Sequence, residues 1–303
     1  MQYPGQFLIR KILRLLDLER RGAGIQAEHR NGHFYSPVTD PQQLAQVADR
    51  LWPTHAEVMG VDFHDESHRF ILDKIFPRYI ADYDYPERLE EKPDLVQFYT
   101  RNSQFSWLDA RVLFVLLREW QPQRLIEVGS GFSTLLAADV NHRFLADKME
   151  IVCIEPEPRP FLRKPIPGLT RLIEKKVQDV AIDEFLKLRA GDIVFIDSSH
   201  VAKTGSDVNF LYFEVLPRLA RGVRIHIHDI FLPDEYPRKW VLDLNRSWSE
   251  QYLLRALLMY STAFRVVFGC SYAYSRFPAQ VGHALAHAGG GAFGGSSFWI
   301  ERI

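Results

Sequence analysis

The sequence predicts an α/β protein with a mostly parallel sheet covered on both faces, and three observations predict it. From Trp107 to Ile227, short apolar runs alternate with helical patterns or connections. The run Leu125, Ile126, Val128 ends at Gly129-Ser130-Gly131, and the helical pattern STLLAADV follows at once. Polar and charged residues gather at the ends of successive apolar runs, where open α/β sheets bind ligands.

The N-terminal residues 1–25 contain FLIRKILRLLDLERR, with Phe7, Leu8, Ile12, Leu15, Leu16 and Leu18 near helical spacing. This reads as a helix packed on its own domain or on a second copy, with an interfacial membrane helix as the competing reading. It lacks the long apolar core of a signal peptide. A short helix is expected near Pro41–Leu51, capped by Thr39 or Asp40. Residues 61–105 are rich in aromatics and acids. His64 and His68, with Tyr79, Tyr83 and Tyr85, invite a pocket or metal reading, but packing is the default for such irregular spacing and no third ligand is evident.

From Trp107 the pattern is regular. Helices are expected at 107–120, 133–144, 182–189, 207–220 and 249–260. Strands are expected at 124–129, 150–155, 171–177, 192–197, 223–229, 264–269 and 297–302. The last two strands are read as following one another without a helix, joined by a flexible glycine-rich loop, and as an antiparallel pair closing one edge. The organisation is thus a helical, aromatic-rich region at 1–106, for a substrate lid or oligomerisation, and a ligand-binding domain at 107–303.

Composition excludes some classes. The chain has 303 residues, 47% apolar and 25% charged, with a net charge of −1. No global field would hold it on nucleic acid. No apolar run approaches the roughly 20 residues of a membrane span. Cys153 and Cys270 both lie in apolar segments, so free buried thiols in a cytoplasmic setting are expected.

The strand ends supply the chemistry. Glycine turns let the backbone approach a ligand, and the following helix start offers unpaired N–H groups. Glu127, two residues before Gly129, favours a ligand with an amine or hydroxyls over a pyrophosphate. Glu155 at the second tip suits two ribose hydroxyls. Gln178 and Asp179 end the third run, Asp197-Ser198-Ser199-His200 the fourth, and His228-Asp229 the fifth. A nicotinamide dinucleotide fits less well, because Thr134 stands at the third glycine position of its fingerprint.

Glu127-Val-Gly-Ser-Gly-Phe-Ser, Glu155 and the acid-tipped fourth strand resemble the class I S-adenosylmethionine-dependent methyltransferases over about residues 107–303. The resemblance implies a Rossmann-like seven-stranded, mostly parallel sheet with a C-terminal antiparallel edge, plus an N-terminal helical and irregular region. It implies S-adenosylmethionine as cofactor. Gly129, Ser130, Gly131 and Ser133 would surround its amino acid portion, with Glu127 near the amine. Glu155 would bind the ribose, Gln178 and Asp179 would lie by the adenine, and Asp197 by the methyl-transfer centre.

Asp197 and Asp229 end strands expected to be neighbours, about 4.8 Å apart. Two such carboxylates favour a shared proton or a cation between them. Here the chain is similar to metal-dependent small-molecule O-methyltransferases of the catechol and macrolide-sugar types, which implies Mg²⁺ or another divalent cation at Asp197, Asp229 and His228. Their fifth-strand Asp-Asn pair is replaced by Asp229-Ile230, so His228, His200 or water would complete the set. A metal-free alternative uses His200 or His228 as general base. His226 is read as structural, Lys203 as a substrate or solvated residue, and Glu250 and Gln251 by default as capping and packing residues of their helix, with a substrate-side contact by either as the alternative.

The expected function is O-methylation of a small-molecule hydroxyl on a glycoside or polyketide-like scaffold. N-methylation, a non-catalytic cofactor-binding assembly subunit and a nicotinamide oxidoreductase are the alternatives. A homo-oligomer is compatible with all of them.

Overall fold

The computed structural model describes residues 27–54, 56–89, 96–286 and 294–303. The amphipathic segment at 1–25 and the centre of the glycine-rich stretch, 287–293, lie outside the described residues. The chain divides into two compact units. The smaller comprises the described residues up to Ala48 together with Lys239–Ser247, and the larger comprises Asp49–Arg238 with Trp248–Ile303. In the smaller unit, Asp40 caps the helix Pro41–Ala45, its carboxylate accepting from the N–H groups of Gln42 and Gln43.

The larger unit is built on seven strands: β1 Arg124–Val128, β2 Glu150–Ile154, β3 Arg171–Ile173, β4 Ile193–Ile196, β5 Arg224–Ile227, β6 Phe264–Gly269 and β7 Phe298–Arg302. Their spatial order is β3-β2-β1-β4-β5-β7-β6. The first five are parallel, and β7 runs antiparallel between β5 and β6. The order reverses direction at β1 and β4, so the ends of these strands flank the crevice where ligands bind in such sheets. The sheet is the expected α/β architecture. β1, β2, β4 and β5 are apolar almost throughout because helices cover both faces.

The register sets one row of side chains across the sheet. Cys153, Glu127, Phe195, His226 and Trp299 are consecutive partners. This row packs toward the helix Trp107–Trp120, most of whose residues are buried. His226 is structural: its ring stacks on Phe195 at 3.7 Å, its Nε2 pairs with Ser297 Oγ at 2.8 Å, and burial keeps it far below its ordinary pKa. Both cysteines are free and buried.

Three expectations are corrected. β3 stops at Ile173, because the next three residues, Glu174-Lys175-Lys176, are charged and exposed. The segment 207–220 is not one helix but Asp207–Phe210, a π-turn at Leu211–Val215 and a 3₁₀ turn at Leu216–Arg218 ahead of the sheet. Among the described residues between β6 and β7 stand two helices, Cys270–Arg276 and Pro278–Ala286, where none was expected. Cys270, Ala273, Phe277, Val281, Ala284 and Leu285 recur every three or four residues and all are buried. The glycines that follow had masked that period.

The aromatics of 61–105 are largely packing. Tyr83, Phe98 and Phe105 lie in the core, Tyr85 donates to Asp139 at 2.6 Å and Tyr79 to Glu119 at 2.9 Å. His64 is the left-handed residue before the helix Asp65–Phe70, so it does not share a helix face with His68. The His68 ring is buried, accepting the Gly269 N–H at 2.8 Å, and burial lowers its pKa to about 4.

Candidate active site

The cradle after β1 is held by close backbone approach. Gly129 has φ +81°, and a Cβ there would stand 1.9 Å from the carbonyl oxygen of Asp197. Only glycine allows both the conformation and the contact. This glycine therefore brings the cradle directly against the tip of β4. A Cβ at Gly131 would meet only Gln104 Oε1, at 3.9 Å, so the space above that position is open. Ser130 Oγ is buried with no nitrogen or oxygen partner, and Ser130 N–H donates to Glu155 Oε2 at 3.2 Å. An open concavity beside an acid at the β2 tip has the room and hydrogen-bonding capacity for a nucleoside-type ligand.

Glu127 does not face that space freely. It is 1% exposed, and its oxygens accept from Ser133 Oγ at 2.6 Å, Thr134 Oγ1 at 2.5 Å and Cys153 Sγ at 3.2 Å. Burial outweighs these bonds and raises its pKa to about 7. Ser133 is likewise buried and committed to Glu127. Thr134 also accepts the Gly131 N–H at 3.0 Å. A threonine at the third glycine position thus locks the turn through Glu127, a role that glycine could not fill. Glu155 accepts from Ser130 and Glu157 backbone N–H groups and keeps lone pairs for a ligand. Gln178 donates to the Gly205 carbonyl at 3.1 Å, and Asp179 is exposed.

The tips of β4 and β5 bring four side chains together. His200 Nε2 lies 3.4 Å from Asp197 Oδ1 and 3.5 Å from Asp229 Oδ2. His228 Nδ1 lies 3.6 Å from Oδ1 of each aspartate, and its Nε2 is 3.5 Å from Asp109 Oδ2. His228 is 5% exposed, yet neither ring nitrogen makes a well-formed hydrogen bond. Asp197, His200 and Asp229 each offer one ligand atom within 4.8 Å of the others. His200 (φ 60°) and Asp229 (φ 56°) are both left-handed, a conformation costly for residues with a Cβ and common at functional sites.

Electrostatics follow from this crowding. Burial would raise Asp197, but the imidazoles of His228 and His200 hold it well below the ordinary carboxylate range. Burial would lower His200, but Asp197 and Glu250 lift it to about 10. Burial would likewise lower His228, but Asp229 and Asp197 raise it well above its ordinary value. The cluster favours positive charge at its centre.

Outer residues fix the cluster. Glu250 opens the helix Glu250–Leu258, is fully buried, and accepts from His200 Nδ1 at 2.9 Å and Ser198 Oγ at 2.7 Å. The N–H groups of Ser249 and Glu250 bond the His200 carbonyl. Gln251 instead pins the loop after β5, accepting from Phe231 N–H and donating to the Asp234 carbonyl. Ser296 Oγ donates to Asp229, and buried Asp109 accepts the N–H groups of Ser296 and Ser297. Sequence reasoning missed Asp109 and Ser296. An acid inside the apolar helix run WLDARVLFVLL was the available signal, but an acid in a first turn is also ordinary. Lys203 is exposed.

The strand order and the cradle at the reversal define a nucleotide-type α/β ligand-binding fold with the antiparallel β7 insertion. A family model described as a methyltransferase domain matches residues 126–230, spanning the cradle and the tips of β2, β4 and β5. An uncharacterized protein from Archaeoglobus fulgidus is 37% identical over 158 residues, which cover 51% of this chain and 71% of that protein. Residues 126–230 are thus a methyltransferase domain, of the class I S-adenosylmethionine-dependent kind. Solved structures with similarity include an O-methyltransferase of tomaymycin synthesis from Streptomyces achromogenes, in complex with S-adenosylmethionine. It is 15% identical, with coverage of 80% of this chain and 91% of that one, and a TM-score of 0.36. A DUF574-family protein from Streptomyces avermitilis is 13% identical, with 64% and 80% coverage and a TM-score of 0.38. No helix among the described residues is long and apolar enough to cross a membrane.

Proposed function

We propose that this chain transfers a methyl group from S-adenosylmethionine to a hydroxyl of a small molecule, assisted by a divalent cation. The observation that carries the reading is the convergence of Asp197, His200, Asp229 and His228 directly beside the glycine cradle. The open space at Gly131 and the Glu155 carboxylate support cofactor binding there. The cofactor supplies an electrophilic sulfonium methyl. A cation held by Asp197, His200 and Asp229 would supply Lewis acidity toward an acceptor hydroxyl.

The protein's own residues have defined work in this scheme. Gly129 holds the cradle against Asp197, so cofactor and acceptor sites adjoin. Glu155 orients the ribose. Glu127 acts indirectly, by fixing Ser133 and Thr134 at the start of the helix Phe132–Phe144. With His200 Nε2 turned to the cation it is not free to act as a general base, and a metal-free scheme would leave that task to His228.

The test is calorimetric titration with S-adenosylhomocysteine in EDTA, followed by a methyl-transfer screen on hydroxylated and aminated small molecules with and without added divalent metal. Micromolar binding lost in Glu155→Ala, with metal-stimulated transfer to hydroxyls, is expected. Transfer to amines alone would replace O-methylation by N-methylation. Binding without turnover on any acceptor would favour a non-catalytic subunit, and no binding would overturn the methyltransferase role.

A further inference from the structure

The Glu250–His200 pair bears on which cation the cluster takes. Glu250 Oε2 already receives the Ser198 hydroxyl, and an ionised carboxylate oxygen can only accept. The proton between Glu250 and His200 therefore sits on Nδ1. That fixes the ring so that Nε2 points between Asp197 Oδ1 and Asp229 Oδ2, 3.4 and 3.5 Å away. The backbone of His200 is held independently by the N–H groups of Ser249 and Glu250. Carboxylate, imidazole and ligand-facing Nε2 in line make the arrangement by which proteins orient a metal-binding histidine. A second observation points to a ligand in the same place: buried His228 makes no well-formed hydrogen bond and aims Nδ1 at the same two aspartates from 3.6 Å.

We infer that Glu250 is a positioning residue that presents His200 Nε2 as a third protein ligand, so that the Asp197–His200–Asp229 site selects an imidazole-accepting divalent transition-metal ion over Mg²⁺. Mg²⁺ prefers oxygen donors and retains water, whereas imidazole donors suit Fe²⁺, Co²⁺ and Zn²⁺. The inference deepens the function proposed above and rests on the cation site that it assigns.

The test uses the full chain, stripped with EDTA and titrated with Co²⁺ alone or Mg²⁺ alone. Co²⁺ is expected to bind at least tenfold more tightly than Mg²⁺. Proton NMR of the Co²⁺ protein should show a strongly shifted, solvent-exchangeable imidazole N–H resonance, arising from the Nδ1 proton donated to Glu250. That resonance is lost in His200→Ala and retained in His228→Ala. Glu250→Gln is expected to weaken Co²⁺ binding 10–100-fold and speed solvent exchange of the resonance, with Glu250→Asp recovering part of the loss. A merely structural Glu250 would lower the melting temperature without moving either readout. Should a variant fail to fold, the wild-type spectrum still decides. Co²⁺ binding without a shifted imidazole N–H, equal affinity for Mg²⁺, or no Co²⁺ binding would each overturn the inference. S-adenosylhomocysteine binding in EDTA is scored separately. Its absence with the cobalt signature present defeats the methyltransferase reading and leaves the cation site standing, and the converse result defeats the cation site alone.

Discussion

Glu127→Gln offers a measurement whose size and sign follow from the site. The Glu127 carboxyl is buried among Ser133, Thr134 and Cys153, and burial raises its pKa from 4.5 to about 7. Between these values the folded protein holds a proton that the unfolded chain has lost. Stability contributed by this group is therefore present below about pH 4.5 and is lost as pH rises toward 7. A shift of 2.5 units at about 1.36 kcal/mol per unit gives a loss of about 3 kcal/mol. Glutamine fills the same volume, can accept from one hydroxyl and can donate to the other, and does not titrate. His68 titrates over an overlapping window with the opposite sign, since its pKa falls from 6.5 to about 4 and its stabilisation is lost as pH drops. The raw pH curve of the wild type sums these and the other buried groups, and the difference between variant and wild type isolates Glu127. Urea unfolding at pH 4.5 and pH 8 is expected to show the variant gaining about 3 kcal/mol relative to wild type at the higher pH, a rise of about 5 °C in melting temperature for a chain of this length. Parallel curves for the two proteins would refute the buried-carboxyl account. Because Glu127 is turned into the protein, the variant should keep S-adenosylhomocysteine affinity within about threefold, equivalent to under about 1 kcal/mol. A loss of tenfold or more would restore the expectation that this acid meets the cofactor amine.

The two cradle glycines should separate cleanly. Gly129→Ala forces a Cβ into the Asp197 carbonyl and is expected to cost at least about 3 kcal/mol of stability, read as lost soluble yield or a large drop in melting temperature. Gly131→Ala should leave melting unchanged and weaken S-adenosylhomocysteine at least tenfold, about 1.4 kcal/mol, by filling the open space; unchanged affinity would place the ligand elsewhere. Asp109→Ala strands the N–H groups of Ser296 and Ser297, and a cost of about 2–4 kcal/mol is expected in denaturant titration. His68→Gln should remove the acid-side loss of stability between pH 6.5 and 4, and an unchanged slope there would contradict the buried neutral ring.

The sequence by itself determined the sheet, its parallel core and the position of the cradle, because these depend on local periodicity and on which residues end each apolar run. It also determined which acids stand at the tips of β2, β4 and β5, since a strand's last residue and its tip coincide. It failed where competing signals overlapped: the helices between β6 and β7 were hidden by the glycines after them, and β3 was lengthened through a charged run that no neighbour covers.

Only the tertiary structure decided what the tip residues face. Glu127, expected at a cofactor amine, turns to Ser133 and Thr134, because a helix start six residues on folds back over it. Glu250, legible as a first-turn acid with a substrate-side contact as the alternative, becomes the partner of His200 across 50 residues of chain. Asp109 reaches Ser296, just ahead of β7, across 187 residues, and His200 rather than His228 completes the metal-spaced group with the two aspartates. Such pairings are set by which strands lie side by side and by left-handed turns at single residues. Hydrophobic patterning carries neither, because it records how much of a side chain is buried and not which partner is buried with it.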